Sequence, residues 1–230
     1  MNADVLGEVE RLGVTRICHL TPLRNLVHIA TGAGVLSNAA LTDAERQAFT
    51  PQDLARWDGH PDHISCSIEY PNAWYYQQKA GNDEMFRTWV VMTIDPKHLA
   101  HEATRFCHRN ASAKGGAYIR DGIEGLRGMY ESPVEGAGGR TYTRAATHLR
   151  ECPTDNQAEV LVSRFIPIED VQTIAVASDE LAANVYVGLE QIGGEPDRFT
   201  FVVVPEFFQP SGLSNAISRG VRPQERVWSP

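Results

Sequence analysis

Between residues 63 and 70 apolar and polar side chains alternate, with Ile64, Cys66, Ile68 and Tyr70 on one parity and Ser65, Ser67 and Glu69 on the other. Successive side chains of a strand point to opposite faces, so the segment predicts a strand with one buried face. TRICHLT (15–21) predicts a short strand, and Thr21-Pro22 then supplies an N-cap and a first-turn proline for a helix over LRNLVHIATG (23–32), stopped by Gly32 and Gly34. Thr42 to Glu45 spells a capping box opening a short helix. A turn at Pro71-Asn72 leads into a helix holding Trp74, Tyr75 and Tyr76; FRTWVVMTID (86–95) predicts a buried strand and PKHLAHEATRFC (96–107) a proline-started helix. Later strands are predicted at EVLVSRFI (159–166), VQTIAVA (171–177) and RFTFVVV (198–204), with a glycine-stopped helix over 179–193. Strands and helices mix without regular alternation, which favours an α+β fold over a doubly wound one. The expected organisation is one domain over residues 1–205 and, because the rest is rich in Pro, Gly and Ser, a tail over 206–230.

The chain has 230 residues, 42% of them hydrophobic, enough for one well-filled domain. No apolar run approaches the roughly 20 residues that cross a bilayer. The N-terminus MNADVLGEVERLG is acidic where a secretory signal would be basic then apolar, so a cytoplasmic protein with no membrane partner is expected. Cys18, Cys66, Cys107 and Cys152 are scattered and form no C-x-x-C, which predicts reduced, buried thiols.

A net charge of −8 argues against a protein that coats nucleic acid by electrostatics alone. It leaves room for a local groove. Residues 101–150 are the one net-positive block, with 8 Lys and Arg against 5 Asp and Glu, and with Tyr118, Tyr130 and Tyr142 interleaved. By itself this block is either a groove or an ordinary mixed surface.

Several chemistries find no support. GAGG (136–139) does not spell G-x-G-x-x-G and follows no predicted strand, and no G-x-x-x-x-G-K-[ST] loop is present. His60-x-x-His63 and His98-x-x-His101 lack a matched second ligand set, so no metal is expected. Cys152 near His148 has no orienting third residue for nucleophilic catalysis. More informative is DNQAEVLVSRF (155–165), where Gln157 and Glu159 stand two apart and so point the same way at the strand's start, opposite Val160, Val162 and Arg164. The residues alone leave two readings of that pair, a solvated strand end or a pair projecting into a cleft.

His19 at the end of the first strand, the aromatic-rich segment after the second, and Gln157-x-Glu159 opening a late strand follow the order of the NAD-consuming ADP-ribosyltransferases. The sequence most resembles the DarT-type nucleic-acid ADP-ribosyltransferase toxins, in ICHLTPLRNL (17–26), SIEYPNAWYY (67–76), FCHRNAS (106–112) and QAEVLV (157–162). Each motif is short, and the four together span most of residues 15–180.

The resemblance implies a single-domain ADP-ribosyltransferase-like fold, with central split mixed and antiparallel sheets flanked by helices around an NAD cleft. It implies NAD as the substrate that supplies ADP-ribose, no metal, and a nucleobase of DNA, guanine or thymine, as acceptor. Cleaving the nicotinamide–ribose bond builds oxocarbenium-like charge on the sugar, and a carboxylate at the ribose 2-hydroxyl strengthens its hydrogen bond as that charge grows. Glu159 is the expected carboxylate, with Gln157 orienting acceptor or ribose. On the NAD side the expected residues are His19, Thr21, Asn25, Arg56, Tyr70 and Tyr75, with Arg56 on the phosphates from a loop before the second strand. On the nucleic-acid side they are Trp74 by stacking, and Arg109, Asn110 and Lys114 from the basic block. Without the resemblance, His19 reads first as a hydrogen-bonded core histidine at a strand end, and the helical aromatics as core.

SIEYPNAWYY departs from the proline- and arginine-containing aromatic segment of the thymidine-modifying branch and looks more like the guanine-modifying one. Relatives acting on RNA share the catalytic skeleton, and a silent binding module of this fold is the non-enzymatic alternative. A toxin of this kind also implies an antitoxin that removes the ADP-ribose or covers the site.

Overall fold

A computed structural model describes residues 1–42, 58–80 and 88–230. The Asn2 side chain accepts hydrogen bonds from the N–H groups of Asp4 and Val5, and so starts α1 (Ala3–Leu12), which Gly13 ends in the left-handed conformation at φ 77°. Val5, Val9 and Leu12 recur at i, i+4 and i+7 on its buried face, an amphipathic pattern already present in the sequence. There follow β1 (Ile17–Pro22), α2 (Leu23–Thr31), β2 (Gly34–Leu36), β3 (His63–Ile68), α3 (Ala73–Ala80), β4 (Trp89–Ile94), β5 (Arg105–Cys107), β6 (Ile119–Asp121) and α4 (Gly122–Gly128). The second half holds β7 (Val134–Glu135), β8 (Thr141–Tyr142), β9 (Glu159–Ser163), β10 (Phe165–Pro167), β11 (Val171–Val176), α5 (Asp179–Gln191), β12 (Thr200–Val203), α6 (Pro210–Ser218) and β13 (Arg226–Val227).

Nine strands form one sheet in the order β13-β12-β11-β4-β1-β3-β9-β5-β6. Its neighbours pair antiparallel except β11 and β12, which are parallel and joined through α5 as a crossover. The fold is α+β, as the irregular alternation predicts. β1 pairs with β4 along all six residues but with β3 only at Ile17↔Ile68 and Cys18↔Ser67, after which the two strands part. β3 instead continues against β9, so the sheet forks between β1 and β3.

Both faces are covered. Val90, Met92 and Ile94 of β4 join the core under α1, α2 and α5, while Val91 joins a second core with Phe207, Leu213 and Ile217. β3 is accordingly buried on both faces rather than one. The alternation also breaks at Glu69, whose φ of 66° turns the chain over. Tyr70 therefore packs in the second core, away from Ile64, Cys66 and Ile68 in the first. The Glu69 carboxylate holds this bend by accepting from the Thr15 N–H at 2.9 Å and the Thr15 hydroxyl at 2.7 Å.

Other elements depart from expectation for identifiable reasons. Pro22 still belongs to β1 and occupies the N-cap position of α2, so Thr21 is not a cap. The helix expected over 96–107 is one short turn, Pro96–Ala100, capped by Asp95, after which β5 begins. EVLVSRFI is two strands because Arg164 adopts φ 60°, and β10 leaves the main sheet to pair with β2. The segment after Pro205 is not a tail. Pro210 starts α6 rather than breaking it, and β13 extends the sheet. Glu225 pairs with Arg16, whose guanidinium lies 5.2 Å from the Tyr70 ring centre. The capping box at 42–45 lies, beyond Thr42, outside the described residues. All four cysteines are free and buried, and among the described residues no helix is long and apolar enough to cross a membrane.

Candidate active site

The fork opens into a cleft of about 550 Å³ lined by β1, α2, β2, β3, α3, the 109–113 loop and the entry to β9. Where the β1–β3 ladder stops, the His19 ring bridges the gap, its Nδ1 lying 2.9 Å from the Ser65 carbonyl oxygen. A carbonyl only accepts, so Nδ1 carries the proton. Burial holds the ring below the usual histidine range, opposed by the Ser65 bond, and the neutral ring keeps an acceptor lone pair at Nε2. Beside it, the Asn25 amide donates to the Thr21 hydroxyl at 3.2 Å, and both residues are buried in the cleft wall.

Glu159 is the first residue of β9 and is 8% exposed, so the strand start is not solvated. It lies opposite Cys107 in register, and the loop that leaves β5 after Cys107 folds over it. Asn110 Nδ2 donates to Oε1 at 2.8 Å and the Ala111 N–H to Oε2 at 3.0 Å. Gln157 lines the same cleft but is not in the strand. It sits in a turn where Asp155 Oδ1 accepts from the Gln157 N–H at 2.9 Å and the Asp155 carbonyl from the Ala158 N–H at 2.9 Å. Burial raises the Asp155 carboxyl above its usual range, opposed by the Gln157 N–H and by Arg109.

Of the aromatics, Tyr75 lines the cleft, packed edge-on to Trp89 with ring centres 6.3 Å apart. Tyr70 does not line it, because the bend at Glu69 sends its ring against Phe207. Trp74 is 39% exposed and donates from Nε1 to the Ser214 hydroxyl on α6 at 3.1 Å, away from the cleft. Helical spacing explains the difference: Tyr75, Gln78 and Lys79 share one face of α3 and line the cleft, and Trp74 falls on another. Gln78 and Lys79 are cleft residues that the sequence signals only through their i+3 and i+4 spacing from Tyr75.

Arg109 lines the cleft, its guanidinium 5.3 Å from the Tyr118 ring centre and 3.9 Å from Glu135. Lys114 sits outside it, 3.1 Å from Glu135 and 5.0 Å from the Tyr118 ring centre. Asn110 lines the cleft with its amide turned to Glu159. Arg56 lies outside the described residues. Most other arginines of the basic block bind backbone or acids: Arg144 the Cys152 and Leu149 carbonyls, Arg150 the Leu12 carbonyl, Arg120 the Ala117 carbonyl, and Arg127 Glu124 and Glu8.

Among the described residues neither histidine pair gathers four zinc-like ligands. His60, Asp62 and His63 bring ligand atoms within 4.8 Å of one another, but His63 Nδ1 already faces Asp62 at 2.8 Å and Nε2 the Ala103 carbonyl at 3.0 Å. His98 Nε2 meets Asp170, and His101 Nδ1 accepts from the Ala103 N–H. His148 Nε2 faces the Pro153 carbonyl, and burial pushes the Cys152 thiol well above its usual range, so the two do not form an activated pair.

A family model described as the ssDNA thymidine ADP-ribosyltransferase DarT matches residues 18–208. No curated protein matches the chain. Among solved structures, Thermus sp. 2.9 DarT in complex with NAD+ aligns with TM-score 0.55 and 18% identity, covering 84% of this chain and 97% of that one. The same protein in complex with ADP-ribosylated ssDNA aligns with TM-score 0.55 and 16% identity over 85% and 97%. Thermosipho africanus DarTG in complex with ADP-ribose aligns with TM-score 0.54 and 13% identity over 84% of this chain, which spans 51% of the DarTG chain. The match across the forked sheet and both walls of the cleft places this chain in the DarT family of ssDNA thymidine ADP-ribosyltransferases.

Proposed function

We propose that the chain cleaves the nicotinamide–ribose bond of NAD, transfers ADP-ribose to a base of single-stranded DNA, and acts as the toxin of a toxin–antitoxin pair. The observation that carries this reading is the convergence of His19, Gln157 and Glu159 on one cleft at the fork of a DarT-family sheet. The Thermus complexes with NAD+ and with ADP-ribosylated ssDNA support the two substrates, and the likeness to DarTG supports an antitoxin partner.

In this reading the bond between the anomeric carbon and nicotinamide breaks and its electron pair leaves with the neutral pyridine, so positive charge develops on the ribose. Glu159 accepts from the ribose 2-hydroxyl, a contact that strengthens in the transition state. A base nitrogen then attacks the anomeric carbon, and the proton it loses passes to Glu159. His19 Nε2 accepts from a ribose hydroxyl, Thr21 and Asn25 meet the NAD where α2 begins, and Tyr75 stacks on nicotinamide. Arg56, from the sequence that leads into β3, is assigned to the phosphates because a guanidinium binds them bidentately. Gln157 orients the acceptor, and Arg109, with Lys114 outside the cleft, guides its backbone.

Thymine is the base the family description names. Guanine is the second reading, because SIEYPNAWYY departs from the proline- and arginine-containing segment of the thymidine-modifying branch. The test is to incubate the protein with labelled NAD and single-stranded DNA oligonucleotides each lacking one base, alongside RNA of matching sequence. Label is expected on DNA, absent when the target base is absent, and reduced by about 10² to 10³ or more in Glu159→Gln. Label on RNA alone, or full transfer by Glu159→Gln, overturns the reading. In cells, expression of the wild-type chain is expected to arrest growth and the Glu159→Gln variant is not. Arrest by both without adducts would favour a silent binding module.

A further inference from the structure

We infer that Asn110 is a positioning residue for Glu159 and does not read the nucleic acid, an inference that rests on the proposed role of Glu159. The orientation of the Asn110 amide is set from both ends. Its Oδ1 accepts from the Ser112 N–H at 3.1 Å and from the Ser112 hydroxyl, so the opposite end, Nδ2, must be the donor toward Glu159 Oε1 at 2.8 Å. The neighbouring Ala111 N–H takes Oε2 at 3.0 Å, so the two carboxylate oxygens are gripped separately by consecutive residues of one loop. A carboxylate held at both oxygens cannot rotate about its last torsion, and a carboxylate that must meet a ribose hydroxyl as charge develops gains from that restriction. Asn110 is half-buried, with both lone pairs of Oδ1 taken by Ser112 and one Nδ2 hydrogen by Glu159, so it lacks the free acceptor-and-donor pair with which an amide reads a base edge.

The same loop carries Arg109 into the cleft, so acceptor-side contact and carboxylate alignment reside on adjacent residues. The division of labour is specific: Arg109 touches the acceptor and Asn110 acts through Glu159. Replacing Asn110 by Asp keeps the shape but sets a second carboxylate against Glu159. Two carboxylates at hydrogen-bond distance resist joint ionisation, which moves the acid limb of the rate profile to higher pH.

The experiment measures transfer from labelled NAD to a single-stranded DNA oligonucleotide for the wild type, Asn110→Ala, Asn110→Asp, Ser112→Ala and Glu159→Gln, with the melting temperature of each. Asn110→Ala is expected to lower kcat roughly ten- to a hundredfold, the equivalent of one charge-assisted hydrogen bond, with KM for NAD and for oligonucleotide within about threefold of wild type. Ser112→Ala should act in the same direction and more weakly, and Asn110→Asp should shift the acid limb upward. A selective rise in oligonucleotide KM with kcat unchanged in Asn110→Ala would overturn the inference and return Asn110 to the nucleic-acid interface. An unshifted pH profile in a folded Asn110→Asp would also overturn it. If Glu159→Gln itself retains full transfer, the proposed chemistry fails first, and the two failures are thereby distinguished.

Discussion

His19 reaches the cleft because a strand ladder ends, and its protonation follows from where it ends. Burial holds His19, His108 and His148 below the usual histidine range. Each therefore takes up a proton in the unfolded chain at a higher pH than in the folded one. Between the unfolded value near ~6.5 and the lower folded values the unfolded state binds more protons, so stability rises with pH in that window. Thermal melts are expected to show full stability above about pH 6.5 and progressive loss below it. The affinity for NAD should fall only at still lower pH, as the folded His19 ring itself takes up a proton, because a protonated Nε2 no longer accepts a hydrogen bond, and His19→Gln should flatten that part of the dependence. A melting temperature independent of pH from 8 to 5 would count against buried neutral histidines.

Elements as well as residues shape the cleft, and β2 is one of its walls through Val35 and Leu36, with Ser37 just after it. β2 is held by pairing with β10, and the pairing depends on Gly34, whose φ is 141°. A Cβ there would lie 2.1 Å from the Ile166 carbonyl oxygen and 2.8 Å from the Ile168 nitrogen, both backbone atoms that cannot rotate aside. Gly34→Ala is therefore expected to cost about 2 kcal/mol or more and to lower NAD affinity by disturbing this wall. Denaturant unfolding and NAD titration measure the two effects, and an unaffected midpoint would show that β2 can move as a unit. Glu69 shows the same coupling of element to site, since its left-handed bend sends Tyr70 to the second core and starts the turn that sets α3 with Tyr75 toward the cleft.

For the whole molecule, charge determines how an acceptor is held. The chain is acidic at −8, and much of its basic block is consumed by carbonyls and acids within the fold; Arg109 lines the cleft, and Lys114 lies outside it, both beside Glu135. Few phosphate contacts imply a shallow dependence of oligonucleotide affinity on salt. Arg109→Glu should weaken oligonucleotide binding by about tenfold or more while changing NAD binding less, read from fluorescence titrations at several salt concentrations. Equal losses for both ligands would mean that Arg109 serves NAD. An antitoxin that covers the site would meet the same small positive feature and so should present an acidic face there.

The sequence by itself determined the fold class, most strands, and the identity of His19, Thr21, Asn25, Tyr75, Gln157 and Glu159 as residues that meet in one place, because short motifs and strand periodicity are local and survive in one dimension. It did not decide which of Tyr70, Trp74 and Tyr75 faces the cleft, because a single left-handed residue and the rotation of one helix decide which way an aromatic faces, and neither leaves a compositional trace. It also read 206–230 as a tail, since whether a Pro- and Gly-containing segment folds depends on an apolar surface elsewhere for Phe207, Leu213 and Ile217 to cover. Only the tertiary structure decided that Glu159 is buried and gripped by Asn110 and Ala111, residues 48 or more positions away along the chain. Contacts across such separations are made by sheet register and loop return, and a sequence carries these only through the fold they produce.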